Sequence, residues 1–381
     1  MRQTITKTSC ATLALLLLVT TQFAAGNALQ NAAKMTEAAA AFVAALEGEQ
    51  RQKAMFPLDA DERPTWSNLP LAMVRPNGLL IINMNGRQRV AVHDLMRASM
   101  SSQGYQKMFG IMRLDDILYA EAIDDIHNDE DPSRRNDPCR LAWARTRNSG
   151  NYTVAVFGDP ASGGDWGWRL AGHHAAANFT VTDGRVGFTP MFLGSSPLEV
   201  QRGPYTGWRV LSHEGGRGID LMRSLTAKQR SAAIIGESIP RDVFAGPGRR
   251  NSLTQYAGLK LDQLQSSPLD NLNALLAEFV HNAEYDAARA QMQLIEQAGV
   301  DELWFSWIGP VDINGEFYFR LHGPRLLIEY NRQTPNHDHI VVRDPINDYG
   351  EDWLQHHYQE HHPALSFEES RARIPECRAE G

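Results

Sequence analysis

The spacing of apolar residues along the chain divides it into helical and strand-rich parts. Before residue 130 apolar side chains recur at intervals of three and four, and three segments predict helices: KMTEAAAAFVAALEGEQRQKAMF, GRQRVAVHDLMRASM and GYQKMFGIMRLDDILYAEAI. From Asn151 the interval falls to two, the period of a strand with one buried face. This part predicts a strand in NYTVAVFGDP, then a hairpin of WGWRLAGHHAAANFTV and VGFTPMFLG, with Asp183-Gly184 in its turn.

Helical spacing returns after Gly218 and gives way to a second group of strands. The segments LMRSLTAKQRSAAIIG and LDNLNALLAEFVHNAEYDAARAQMQLIEQAG predict helices. The segments ELWFSWIGP, EFYFRLHGP, RLLIEYN and HIVVRDP predict strands. Helices on both sides of mostly antiparallel strands indicate an α+β fold, with a sheet flanked by helices. We predict one large domain over residues 29–381, with a helical part at 29–130, a strand-rich part at 151–345 and a terminal helix at 350–362.

A Gln-Arg pair recurs near the start of three predicted helices, at Gln50, Gln88 and Gln229. The irregular spacing of the three pairs excludes a solenoid of regular repeats. A repeated ligand contact is one interpretation of the pattern. A recurring way of starting a helix is the interpretation that we favour.

The first 28 residues have the anatomy of a secretory signal peptide. Arg2 and Lys7 precede the apolar stretch CATLALLLLVTTQFAAGNA, which ends in small residues. An N-terminal membrane anchor is the alternative, and the shortness of the apolar run disfavours it. We therefore expect an exported protein, periplasmic or extracellular, with no stable membrane span after the leader is removed.

Composition and net charge indicate the class of protein and argue against one kind of partner. Of the 381 residues, 43% are hydrophobic and 22% are charged, as expected of a globular protein with a buried core. The formal net charge of −8 argues against nucleic acid as a partner, because phosphate binding requires a concentrated basic surface. Outside the leader the chain has two cysteines, Cys139 and Cys377, and whether they form a disulfide or remain thiols is left open.

Histidines on predicted strands are the most distinctive chemical feature. In PNHDHIVVRDP, His337 and His339 are two residues apart and therefore share a face of the strand. In RLAGHHAAANF, His173 and His174 are neighbours, so that on a strand only one of them would line a given pocket. Three imidazoles suit a divalent transition metal such as zinc, copper or iron, and we predict His174, His337 and His339 as its ligands. The alternative for each histidine is an ordinary hydrogen bond to a carbonyl or carboxylate.

Two further residues are candidates for general acid and base. His322 shares a strand face with Arg320, and Glu329 lies on the following strand; we predict His322 and Glu329 as catalytic residues beside the metal. The terminal segment EDWLQHHYQEHHP lacks the glutamate of an H-E-x-x-H zinc-protease motif. The roles of its histidines are left open; they are His356, His357, His361 and His362.

Several segments together resemble the bacterial family catalogued as domain of unknown function 3500. They are WGWRLAGHHAAANFTV, FLGSSPLEV, FAGPGRR, FRLHGPRLLIEYN, NHDHIVVRDP and DYGEDWLQHHY, in the order that the family has. The resemblance covers residues 151–358 most clearly. The family pattern usually runs NHxHSVWRDP, and here Ile340, Val341 and Val342 replace part of it, whereas His337, His339 and Asp344 are retained. The resemblance implies export and leaves the activity undefined.

These observations together predict an exported metalloprotein, and a metal-dependent enzyme before a binding protein. Hydrolysis is favoured and metal-dependent oxidation comes next; the substrate, a small molecule or a polymer, stays undefined. One alternative is a periplasmic protein that binds a metal or another ligand without turnover. Another is a binding domain without metal, in which Trp166, Trp168 and Arg169 form an aromatic wall.

Overall fold

One large sheet carries the fold, and helices pack against it. The structure is a computed structural model that describes residues 31–75, 77–135, 137–262 and 264–361, with side chains of the last helix described as far as residue 356. The strands are β1 (Met55–Phe56), β2 (Leu79–Leu80), β3 (Thr153–Phe157), β4 (Trp166–Gly172), β5 (Ala175–Thr182), β6 (Arg185–Gly187), β7 (Met191–Ser195), β8 (Ile234–Gly236), β9 (Leu259–Lys260), β10 (Trp304–Ile308), β11 (Phe317–Gly323), β12 (Leu326–Thr334) and β13 (His337–Arg343). The helices are α1 (31–44), α2 (Gly48–Ala54), α3 (Gly86–Ser99), α4 (Ser102–His127), α5 (Pro138–Ala144), α6 (Glu214–Ser224), α7 (Ala227–Ala233), α8 (Ser266–Val280), α9 (Tyr285–Ala298) and α10 (Glu351–His361).

The strand order confirms the predicted fold class. The sheet runs β1-β3-β4-β5-β7-β13-β12-β11-β10-β8, while β2, β6 and β9 pair beside β3, β5 and β10. Among the described strands only the two edge pairs, β1 with β3 and β8 with β10, are parallel. The protein is thus an α+β domain with a mostly antiparallel sheet flanked by helices.

Several sequence predictions concern residues outside the described part. The leader at residues 1–28 and Cys377 lie there, so that only the exposed Cys139 of the predicted pair is described. The predicted bounds of the domain and of its parts stay predictions. Within the described residues, every helix is too short or too polar to cross a membrane.

The recurring Gln-Arg pairs do start helices, and the reason is a shared cap. In α2, α3 and α7 the glutamine is the third helical residue, and its side-chain oxygen accepts a hydrogen bond from the backbone N–H of the capping residue. This arrangement satisfies a donor that the first helical turn leaves without a partner. The capping residues are Glu47, Asn85 and Thr226.

The strand order is the same whether it is followed inward from one edge of the sheet or from the other. From each edge a short strand pairs in parallel with its neighbour, and three antiparallel strands and a central strand follow. The equivalent pairs are β1 and β8, β3 and β10, β4 and β11, β5 and β12, and β7 and β13. The short strands β2 and β9 also occupy equivalent places, each antiparallel to the equivalent strand β3 or β10. The sheet is therefore built from two similar halves that meet at β7 and β13.

The sequences of the two halves agree with this symmetry. The hairpin segments WGWRLAGHHAAANFT (166–180) and FYFRLHGPRLLIEYN (317–331) align without a gap. Arg169 then corresponds to Arg320, and Gly172 pairs with Ala175 as Gly323 pairs with Leu326. The residues that follow β3 and β10 are both glycines with positive φ. The two halves of the sheet thus repeat the same strand order and the same hairpin geometry.

The two faces of the sheet differ in what covers them. One face carries alternate apolar side chains, such as Trp168, that form the main core with the helices. The other carries buried polar side chains beneath two loop segments, 57–78 and 237–257, which hold equivalent places in the two halves. Arg169 donates hydrogen bonds to carbonyls of the first segment, and Glu329 accepts from backbone N–H groups of the second. This polar face carries the candidate site.

Several predicted elements were too long, among them the helices predicted at 34–56 and 221–236, which are divided into α1 and α2 and into α6 and α7. The strand predicted through His173 and His174 is wrong there, because these two residues form the turn between β4 and β5, with His174 at a φ of 63°. The helix predicted over residues 269–299 is divided into α8 and α9. Its division is fixed by Glu284, whose side chain caps α9 by accepting the backbone N–H of Asp286 at 2.8 Å.

Candidate metal centre

The three imidazoles predicted as metal ligands lie together at one end of the polar face. His337 and His339 begin β13 on the same face, and His174 comes from the turn between β4 and β5. The intervening strand β7 leaves room for them at Gly194, which lies opposite His339. A Cβ on Gly194 would lie 3.1 Å from ring carbons of both His174 and His339. The absence of a side chain at this position therefore lets the rings meet.

The ring nitrogens are close enough to hold one ion. Nε2 of His337 lies 2.9 Å from Nε2 of His174 and 3.0 Å from Nε2 of His339. A ring nitrogen carries either a proton or a lone pair, so that sharing a proton satisfies only one of these contacts well. Metal–nitrogen bonds of about 2.0–2.1 Å at an angle of roughly 90° would place neighbouring nitrogens at these separations. The geometry is therefore compatible with a metal ion.

Burial keeps two of these rings neutral, as ligands must be. Burial, followed by the nearby histidines, lowers the pKa of His174 well below its ordinary value. Burial and the neighbouring His339 likewise lower the pKa of His337 to about 4. At neutral pH both rings therefore carry a lone pair that a metal ion can take.

An aspartate of the second loop segment fixes the orientation of His339. Oδ1 of Asp242 lies 2.8 Å from Nδ1 of His339, and Arg249 holds the other carboxylate oxygen at 3.0 Å. Burial alone would raise the pKa of Asp242, but the His339 contact and other hydrogen bonds outweigh burial and lower it. When Nδ1 donates to Asp242, Nε2 is left with its lone pair facing His337. The side-chain amide of Gln333 lies 2.6 Å from the same Nδ1, and it can accept the Nδ1–H only through its oxygen.

A second buried group adjoins the first through His174. Nδ1 of His173 lies 2.6 Å from Asp115, whose other oxygen accepts a hydrogen bond from the Tyr152 hydroxyl at 3.1 Å. The rings of His173 and His174 lie 3.7 Å apart, centroid to centroid. Asp115, His173 and His174 also bring ligand atoms within 4.8 Å of one another. The His173 ring, held by Asp115, thus packs against the His174 ring, and Asp115, His173 and His174 form a second group of ligand atoms.

Glu329 and His322, the predicted acid and base, lie elsewhere on the polar face. Glu329 is opposite Val341, two positions along β13 from His339. Its carboxylate accepts hydrogen bonds from two backbone N–H groups and from the Tyr318 hydroxyl, at 2.7–2.8 Å. Burial raises the pKa of Glu329 despite these bonds. These contacts attach Glu329 to the second loop segment. Its catalytic role stays a prediction.

His322 is on β11, two strands away from the histidines of β13. It is buried, its ring contacts Tyr256 edge-on at 4.6 Å, and its Nδ1 has no hydrogen-bond partner among the described residues. Burial and the charge of Arg320 lower its pKa to about 4. His322 is therefore neutral at pH 7. Its role as an acid or base stays a prediction.

The structure also places the other residues considered from the sequence. Trp166 and Trp168 are each 1% exposed within the main core, so that they form no aromatic wall with Arg169, which lies on the opposite face. His356 is exposed on α10 and lies 3.8 Å from Asp352. His362 and the side chains of His357 and His361 lie outside the described part of the chain.

Asp242, Asp115 and Tyr152 are the site residues that sequence reasoning missed. Asp242 and Asp115 lie 97 and 58 positions from the histidines that they contact. Each occurs in a stretch without a recognisable ligand spacing. The sequence signal nearest to Asp242 was the family-like segment FAGPGRR, which begins two residues after it.

Comparison with known proteins assigns a family and no activity. A family model described as "Protein of unknown function (DUF3500)" matches residues 28–351. No curated protein and no solved structure matches the chain. The resemblance seen in the sequence motifs is confirmed.

Proposed function

This chain belongs to the DUF3500 family of proteins of unknown function, and we propose that it is an exported metalloprotein that acts as a metal-dependent hydrolase. The position of the His337 Nε2 atom, within 3.0 Å of a ring nitrogen of each of His174 and His339, is the observation that carries the proposal. One shared proton leaves one of these close contacts unfavourable, whereas one cation makes both favourable.

The donor set supports hydrolysis over binding alone. Three neutral imidazoles leave a divalent ion its full positive charge and open coordination positions, as in catalytic zinc sites. Such an ion supplies Lewis acidity to a water or a substrate oxygen. The chain's own contribution is orientation: Asp242 holds His339, and the Asp115–His173 pair packs beside His174. Zinc, copper and iron all accept this donor set.

The metal content of protein purified without an affinity tag tests the proposal. We expect about one transition-metal ion per chain by elemental analysis after equilibration with zinc, and loss of the ion in His337→Ala. His356→Ala is the matched control, because its side chain is 63% exposed on α10. A wild-type chain without stoichiometric metal, or equal metal in His337→Ala and the wild type, would overturn the proposal.

Turnover separates the enzyme from a protein that only stores or senses metal. The small exposure of His174 and His339, 5% and 7%, is the observation that favours binding without turnover. For the enzyme we expect metal-loaded protein to hydrolyse a member of a chromogenic ester and phosphoester panel, and His337→Ala to lose that activity. Metal-loaded protein that binds one ion and leaves the whole panel intact would favour the storage function.

Export rests on residues 1–28 alone and has its own test. We expect the mature N-terminus between Leu29 and Asn31, or directly after Gly26. N-terminal sequencing of protein from the periplasm or medium measures it. An intact Met1 on soluble exported protein would contradict the proposal.

A further inference from the structure

A cavity of about 370 Å³ lies beneath the first loop segment, on the same polar face as the histidines. Its walls come from residues of segment 57–78 and from β3 and β4. Two contacts place it beside the candidate metal centre. Gly172, a wall residue, directly precedes His173, and Asn68, between wall residues Ser67 and Leu69, accepts the backbone hydrogen bond of His174 at 3.1 Å.

The floor of the cavity carries a buried guanidinium, Arg169, that forms no ion pair with a carboxylate of the described residues. Arg169 is 1% exposed, and its guanidinium donates to the main-chain carbonyls of Glu62, Arg63 and Asn77 at 2.8–3.1 Å. Its Nε has no hydrogen-bond partner, and no carboxylate among the described residues forms an ion pair with it. Burial lowers the pKa of Arg169 to about 10, so that it stays charged at neutral pH. A buried charge without a directly paired carboxylate is costly, and a bound anion would relieve that cost.

The rim adds a second arginine, and the remaining walls are polar but uncharged or apolar. Arg75 is exposed, lines the cavity and forms no ion pair with any described residue. The described lining contains no aspartate or glutamate. Apolar wall residues are Trp66, Leu69, Leu71 and Val74. The cavity therefore combines two positive charges with an apolar surface, which a small ligand with one acidic group and an apolar body would match.

We propose that this cavity binds a small organic carboxylate, with the carboxylate toward Arg75 and Arg169 and the apolar body against the wall formed by Trp66 and its neighbours. Arg75 would make the direct contact, since its side chain is exposed at the rim. The Nε of Arg169 is enclosed, and Arg169 would act through its charge. The position of the cavity next to His173 and His174 places such a ligand beside the candidate metal centre, but the proposal stands without a metal.

Phenylacetate and its neutral isostere phenylacetamide test the proposal on the mature chain. Binding is measured by calorimetry or ligand-observed NMR in the metal-free His337→Ala variant, so that failure of the metal proposal leaves this result unaffected. We expect phenylacetate to bind with a millimolar or lower Kd and phenylacetamide at least about tenfold more weakly, because charge-assisted hydrogen bonds are the stronger class. Equal binding of the two compounds, or binding of neither, would overturn the proposal.

A pair of arginine variants locates the site. Arg75→Gln should weaken phenylacetate binding about tenfold without changing the thermal midpoint of unfolding. Arg87→Gln is the matched control, because Arg87 is exposed on α3 and outside the cavity lining. Arg169→Lys, which keeps the charge, should retain binding better than Arg169→Gln. Unchanged affinity in Arg75→Gln, or the same loss in Arg87→Gln, would show that the anion binds elsewhere and would overturn the assignment.

Discussion

Removal of the Asp242 carboxylate tests whether the chain positions His339 as a metal ligand. In the structure Oδ1 of Asp242 lies 2.8 Å from Nδ1 of His339, and an Nδ1–H that donates to this oxygen leaves the Nε2 lone pair for an ion. Loss of such a carboxylate commonly weakens metal binding by roughly 10–100-fold, or about 1.4–2.7 kcal/mol. Two features of the site favour the lower end. The Asp242 side chain is 30% exposed, and the side-chain amide of Gln333, 2.6 Å from the same ring nitrogen, can accept the Nδ1–H through its oxygen once the carboxylate is removed. We therefore expect Asp242→Ala to weaken zinc binding about tenfold.

Competition with a chelating fluorescent dye at pH 7.5, on protein purified without an affinity tag, measures this change. Asp94→Ala is the control, because Asp94 is 58% exposed on α3 and pairs only with Arg97 three residues later. If Asp242→Ala binds zinc as tightly as Asp94→Ala does, the carboxylate does not orient a ligand. If Asp242→Ala instead loses zinc as completely as His337→Ala does, Asp242 is a direct ligand. Its proposed role in orienting His339 is then refuted.

Three further predictions concern buried groups elsewhere in the fold. Because the pKa of His322 falls from 6.5 unfolded to about 4 folded, the wild type should lose stability as the pH drops through this interval. Between pH 7 and 4.5 it should lose about 2 kcal/mol more than His322→Gln in urea unfolding, and parallel losses would contradict the shift. Gly218→Ala should cost about 1–3 kcal/mol by thermal unfolding, since a Cβ there overlaps the Phe319 ring. Gly216→Ala on the same helix should cost nothing, because an added Cβ meets no atom within 4 Å, and equal costs would refute the packing argument. Lys107→Met should cost about 3–5 kcal/mol in urea unfolding, since Lys107 bridges two buried glutamates at 2.7 Å; a neutral effect would show that the cluster is not stabilising.

The fold class could be predicted because it depends on local periodicity. Apolar spacing of two or of three to four residues marks each long element, and the long strands and helices were found in order. The break at His173 and His174 could not be predicted in this way. Residues other than glycine are uncommon at positive φ, and the segment Gly172–Ala175 has no Asn-Gly or Asp-Gly pair that would predict a turn at His174. The pairing of strands into two similar halves was also hidden, because it depends on contacts between residues far apart in the chain.

The candidate site was predictable only where its residues follow a short pattern. His337 and His339 are separated by the period of a strand, which makes their common face a consequence of backbone geometry. Asp242 and Asp115 reach the histidines from a loop segment and a helix, and their sequence separations carry no signal. Gly194 was not recognised either, although its missing side chain permits the rings to meet. Long-range contacts thus supply the residues that orient ligands, and sequence pattern supplies the ligands.

The two halves of the sheet differ at the turn that carries His174. His174 and Arg325 occupy equivalent turn positions in the two halves, because β4–β5 and β11–β12 are aligned hairpins with two-residue turns. In the first half the turn brings an imidazole to His337 and His339. In the second half Arg325 forms an ion pair with Asp344 at 2.7 Å and is 13% exposed. The same backbone position therefore holds a neutral ring in one half and a charge-paired guanidinium in the other. The repeated hairpin thus places an imidazole beside His337 and His339 in the first half, where the proposed metal would bind, and a paired guanidinium at the equivalent position in the second half.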